Sequence, residues 1–159
     1  MSTAFVFPGQ GSQAIGMGRE FIETFSTARE TMQEADESLS QKLTQLILEG
    51  TAEELTLTEN AQPALLAVST AILRTLEKEK GCPISGLASH TAGHSLGEYT
   101  ALCAAGVLNF SEALRLVRLR GQAMQKATPP GYGAMAAVLG LDLETVEALL
   151  TDFQHADHL

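Results

Sequence analysis

Gly93-His94-Ser95-Leu96-Gly97 lies between a small, weakly apolar stretch, Leu87 to Ala92, and the run Glu98-Tyr-Thr-Ala-Leu-Cys-Ala-Ala105. The first flank reads as a buried strand and the second as a helix. A serine between glycines at such a junction fits a nucleophile elbow, G-x-S-x-G, whose sharp turn pushes the hydroxyl outward. The glycines admit close backbone passage where a Cβ would clash. The helix N-terminus beneath offers unpaired N–H groups and the positive end of a dipole. Those features suit the stabilisation of an oxyanion during acyl transfer.

Outward from the elbow, Ala4-Phe5-Val6-Phe7 is continuously apolar and predicts a short strand buried in a parallel sheet, ended by Pro8. Residues 19 to 55 are acidic and mostly helical in pattern, with breaks near Ser38 to Ser40 and at Gly50-Thr51. Asn60 predicts a helix cap, with Pro63 in the first turn of a long apolar helix that runs to Lys80-Gly81. Asn109 or Ser111 caps a further helix to about Ala127. Pro129-Pro130-Gly131 breaks the chain, Gly133 to Leu139 reads as a strand, and Asp142 caps a last helix through Leu150. The alternation is α/β, with the serine at the carboxyl end of a strand, where open sheets place their sites.

The 159 residues suffice for one domain with a core, and 45% apolar with 18% charged composition suits a globular chain. A net charge of −9 argues against nonspecific nucleic-acid binding. Two cysteines, Cys82 and Cys103, make no disulfide framework, and Cys103 reads as a core residue. The N-terminus lacks the pattern of a signal peptide and no stretch reaches the length of a membrane span, so a cytoplasmic address is expected.

Two further segments carry chemistry. Gly9-Gln10-Gly11-Ser12-Gln13-Ala14 formally matches a dinucleotide fingerprint, but residues 25 to 37 are helical and acidic where that fold needs a second strand. Gln10 can instead offer its backbone N–H or side-chain amide to an acyl oxygen. On the helix from Ser111, Arg115, Arg118, Gln122, Gln125 and Lys126 share one face, and Leu116, Ala123, Ala113, Met124 and Val117 the other. Arg120 falls within the apolar arc and needs an anionic partner, a protein carboxylate or a ligand carboxylate held by the flat guanidinium fork. His94 adjoins Ser95 but points away around a sharp turn. His90 has no evident role. His155 and His158, with Asp152 and Asp157, read as a polar tail; no metal site is expected.

These segments together resemble the malonyl-CoA:acyl-carrier-protein transacylase family. The resemblance rests on Phe5-Val-Phe-Pro-Gly-Gln-Gly-Ser-Gln13, Gln62-Pro-Ala-Leu65, Gly93-His-Ser-Leu-Gly-Glu-Tyr99, Arg118-Leu-Arg-Gly121 with Met124-Gln125, and Gly133-Ala-Met-Ala-Ala137. It implies a parallel-sheet acyltransferase core, α/β-hydrolase-like, over residues 1–128, and the start of a ferredoxin-like small subdomain over 129–159. It implies Ser95 as the nucleophile that takes malonyl from coenzyme A and passes it to the phosphopantetheine thiol of acyl carrier protein. Gln10 and the Leu96 N–H become the oxyanion hole, and Arg120 the clamp on the malonyl carboxylate. No cofactor is implied; the coenzyme A thioester is a substrate.

The family's catalytic histidine lies beyond Leu159, so a truncated, frameshifted or fragmentary form is expected, slow in acyl transfer, marginally stable and self-associating. Two other readings compete. A serine hydrolase or thioesterase would draw on Asp142 and His155, though no H-G-G-G-like oxyanion loop is present. A non-catalytic module would bind acyl-CoA or carrier protein without turnover, with Arg115, Arg118 and Lys126 as a docking patch for an acidic carrier protein.

Overall fold

The computed structural model describes residues 2–128 and 138–154, which fall in two compact units divided between Thr128 and Pro129. In the first unit the order is β1 (Ala4–Phe7), α1 (Arg19–Thr24), α2 (Ser26–Leu39), α3 (Leu43–Glu49), α4 (Ala52–Thr56), α5 (Thr58–Lys80), α6 (Ile84–Leu87), β2 (His90–Gly93), α7 (Gly97–Ala104) and α8 (Phe110–Ala127). The second unit contains α9 (Leu143–Gln154). Among the described residues, no helix is long and apolar enough to cross a membrane.

The core is a helical layer. Ala64, Leu66, Ala67 and Ala71 of α5 pack against Ala28, Met32 and Ala35 of α2 and against Phe110, Ala113, Leu114 and Val117 of α8. The many alanines let the helix axes approach. The closest approach is at Gly121, where a Cβ would press on the Thr58 carbonyl and the Glu59 backbone. Fully buried leucines such as Leu66 and Leu114 each contribute about 1.5–3 kcal/mol by leaving water. A second, smaller cluster of Phe7, Leu73, Ile84 and Ala101 fixes the sheet to α5, α6 and α7.

The described sheet consists of β1 and β2, paired in parallel with Ala4 opposite His90 and Phe7 opposite Gly93. The strand–elbow–helix join is therefore present, within an architecture that is mostly helical. Two strand expectations need correction. The second strand begins at His90, three residues later than Leu87. Pro83 and the Glu77 carboxylate, which accepts from the Ile84 N–H at 2.8 Å, start the short helix α6, and Ile84 is buried by it. The first strand is buried on one face only: Phe7 is 6% exposed, but Val6 is 73% exposed because no described element covers the outward face. Of the strand expected over 133–139, residues 133–137 lie outside the described residues, and 138–139 are not strand.

The breaks in the acidic region fall as expected. α2 ends at Ser40 in the left-handed conformation, and Thr51 opens α4 with a capping box to Glu54. Asn60, however, is no cap. α5 begins earlier, at Thr58, and Asn60 sits within its first turn, where it ties three elements together. Its amide donates to the Glu54 carbonyl at 2.8 Å and its oxygen accepts from Gln41 and from Arg118, the latter at 2.6 Å. Pro63 lies four residues after Glu59 and has no N–H to give its carbonyl. Arg118 of α8 donates to that carbonyl at 2.8 Å, replacing the lost helical bond.

Candidate active site

Ser95 is held at φ 54° between the end of β2 and the start of α7. A non-glycine residue in this left-handed region costs about 1–3 kcal/mol unless its surroundings impose it. The surroundings do so here. A Cβ on Gly93 would fall on the Gly97 carbonyl, and one on Gly97 would fall on the Phe7 carbonyl. The turn is thus pressed against both the helix below and the neighbouring strand. The His94 N–H donates to the Phe7 carbonyl at 3.1 Å and the Gly97 N–H to the His94 carbonyl at 2.9 Å, which closes the turn. Ser95 is exposed, while Leu96 is buried at 1%. Among the described residues, the backbone N–H of Leu96 has no hydrogen-bond acceptor.

Arg120 reaches the serine. Its Nη2 donates to Ser95 Oγ at 3.0 Å and its Nη1 to Gln62 Oε1 at 2.6 Å, with the guanidinium carbon 5.8 Å from the centre of the Tyr99 ring. The helical-wheel placement needs adjusting. The buried stripe of α8 is Phe110, Ala113, Leu114, Val117 and Gly121, whereas Leu116 and Met124 are exposed at 44% and 38%. Arg120 lies on one flank of that stripe, about 80° from its centre, and Arg118 on the other. Arg120 is half-buried, and among the described residues no carboxylate pairs with it.

Gln10 sits in the turn after β1, and its side-chain amide donates to Thr58 Oγ1 at 3.1 Å rather than to Ser95. Its backbone N–H has no acceptor among the described residues. The loop lies against the elbow, since a side chain at Gly9 would run into the His94 ring. His94 is exposed and makes no hydrogen bond to the serine; His90 bonds Ser89 Oγ at 2.9 Å. Among the described residues, Arg120 is the one hydrogen-bond partner of Ser95 Oγ. His155 and His158 lie outside the described residues. Asp142, in the second unit, caps α9 by accepting from the Thr145 N–H at 2.8 Å, and that bond holds its carboxyl below the usual range.

The basic patch is partly committed to the fold. Arg118 is held by Glu59 and Asn60, and Arg115 donates to the Ser38 carbonyl at 3.3 Å, leaving Lys126 exposed. Cys103 is half-buried beside α5, and burial pushes its thiol up to about 11 against the opposing pull of Arg74. It is therefore a poor nucleophile at neutral pH. In the sequence Gln62 stands out only as part of the Gln62-Pro-Ala-Leu65 motif. A signal for it existed: a polar residue next to Pro63, at a helical position otherwise filled by alanine and leucine, and here fully buried.

A family model described as the acyl transferase domain matches residues 4–154. A malonyl CoA-acyl carrier protein transacylase from Bacillus subtilis is 55% identical over 91% of this chain and 44% of its own length. An acyl-carrier-protein S-malonyltransferase from Bartonella henselae superposes with a TM-score of 0.88 at 51% identity, covering 96% of this chain and 48% of that one. A malonyl-transacylase solved in complex with a type II polyketide-synthase acyl-carrier protein gives a TM-score of 0.87 at 45% identity, over 98% of this chain and 49% of that one. The chain spans a little under half the length of these relatives.

Proposed function

The chain belongs to the acyl transferase domain family, and we propose that it carries the serine half of a malonyl-CoA:acyl-carrier-protein transacylase site. The observation that supports this most is the bond from Arg120 Nη2 to Ser95 Oγ at 3.0 Å. A permanent cation beside the nucleophile favours an acyl group with its own negative charge, and the guanidinium fork matches a carboxylate. Malonyl has that carboxylate; acetyl does not.

In the proposed reaction Ser95 Oγ attacks the thioester carbonyl of malonyl-CoA. The carbonyl oxygen becomes an oxyanion that accepts from the Leu96 and Gln10 backbone N–H groups, both without acceptors among the described residues. The C–S bond breaks, coenzyme A leaves as thiol with the proton taken from Ser95, and a malonyl ester remains. The phosphopantetheine thiol of acyl carrier protein then attacks the ester, releasing Ser95 as alcohol. Both steps need a base to move that proton. Among the described residues no base reaches Ser95 Oγ. No cofactor enters the scheme, the site of action is the cytoplasm, and α9 begins the ferredoxin-like small subdomain.

The test is the intact mass of the purified chain after incubation with malonyl-CoA, with Ser95→Ala as control. A single malonyl adduct that is absent from Ser95→Ala supports the reading. Saturable malonyl-CoA binding with no adduct would point instead to a non-catalytic acyl-CoA module. The absence of both adduct and binding would defeat the proposal.

A further inference from the structure

We infer that Gln62 is the positioning residue that aims Arg120 at the serine while leaving its charge uncancelled; the inference rests on the carboxylate-binding role proposed for Arg120. Gln62 is fully buried on α5, and both ends of its amide are engaged. The oxygen accepts from Arg120 Nη1 at 2.6 Å, and the nitrogen donates to the Met124 sulfur at 3.3 Å. A thioether is a weak acceptor, so the amide nitrogen is poorly repaid for leaving water. As plain packing, an apolar side chain at this position would cost less. The strong contact is the one to Arg120.

The other half-buried arginines of this layer are treated differently. Arg74 pairs with the Glu34 carboxylate, and Arg118 with the Glu59 carboxylate as well as the Asn60 amide. Their charges are compensated within the protein. Among the described residues, Arg120 receives only neutral acceptors, the Gln62 amide and the Ser95 hydroxyl. A glutamate at 62 would have nearly the same shape and the same reach, but it would neutralise the guanidinium. The amide orients without neutralising. Of the five guanidinium N–H donors, those left over remain for an incoming carboxylate. Specificity for an anionic acyl group thus depends on the neutrality of a residue that need not touch the ligand.

The experiment compares the affinities of malonyl-CoA and acetyl-CoA for the full 159-residue chain by isothermal titration calorimetry, in the parent, Gln62→Met and Gln62→Glu. The parent is expected to prefer malonyl-CoA. Gln62→Met, which frees the guanidinium, lowers the malonyl-to-acetyl ratio about tenfold, the loss of one charge-assisted hydrogen bond. Gln62→Glu abolishes the preference. Its near-identical shape makes it decisive alone if Gln62→Met does not fold. A ratio unchanged in both variants, or equal loss of affinity for both thioesters, would overturn the role of Gln62. A parent with no preference would instead bring down the carboxylate site itself, and the inference with it.

Discussion

An alanine at Gly97 would set a methyl group on the Phe7 carbonyl, in the contact that presses the elbow against β1. Gly97→Ala is expected to destabilise the first unit by about 3 kcal/mol, because rigid backbone rather than a movable side chain must yield. Urea titration followed by far-UV circular dichroism measures this, and a change below 1 kcal/mol, the size of an ordinary surface substitution, would remove the close approach as a determinant of the turn. At Arg120, lysine keeps the charge but loses the planar fork. Arg120→Lys should reduce the malonyl-to-acetyl affinity ratio by about tenfold and Arg120→Met by more, as titration calorimetry of the two thioesters will show. Equal ratios in all three proteins would separate Arg120 from selectivity.

On the scale of elements, the clasp between α8 and α5 replaces the helical bond that Pro63 cannot make. Arg118→Met should therefore cost about 2 kcal/mol, since it leaves the Glu59 carbonyl and the Asn60 oxygen short of a charged donor. A thermal melt unchanged by the substitution would mean that water serves those groups as well. The cap of α9 makes a prediction about acid. The carboxyl of Asp142 is held below its ordinary value by the Thr145 N–H, so its contribution is present above the unfolded-state pKa. It is lost as pH falls through the lowered folded-state value. Asp142→Asn, which caps without titrating, should flatten that part of the acid loss of helicity; an unaltered acid profile would detach it from this cap.

The legibility of these elements from sequence followed their locality. The elbow could be read because strand, turn and helix are adjacent in the chain, and the Asp142 cap because capping is a matter of three residues. Asn60 looks like a cap in the local pattern because its partners Gln41 and Arg118 come from distant segments, which nothing nearby in the chain announces. The α8 stripe was displaced because apolar side chains such as Leu116 count as core in a wheel whether or not a neighbour covers them. Gln62 was visible as a motif but acquired a role only when α5 and α8 were brought together.

For the molecule as a whole, the described sheet is a pair of parallel strands with an uncovered outward face, and Val6, Val107 and Leu119 are exposed at 73%, 67% and 63%. Open strand edges and apolar patches of this kind recruit other chains. The chain is expected to self-associate with rising concentration in sedimentation velocity, and a monomer across the micromolar range with a sharp two-state melt would oppose this. The pairing of β1 with β2 has a further consequence, in the order of folding. Its flanking bond from Ser89 Oγ to the Thr3 carbonyl spans 86 residues, so the pair closes a long loop. The contacts of α5 with α2 and α8 close shorter loops, 40 residues at Arg74–Glu34 and 59 at Arg118–Glu59, whereas the strained backbone of Ser95 rests on the β1 contacts that the longer closure supplies. Long-range parallel pairing is slow to form. In refolding, helical content should return first, and the conformation that presents the serine should emerge last.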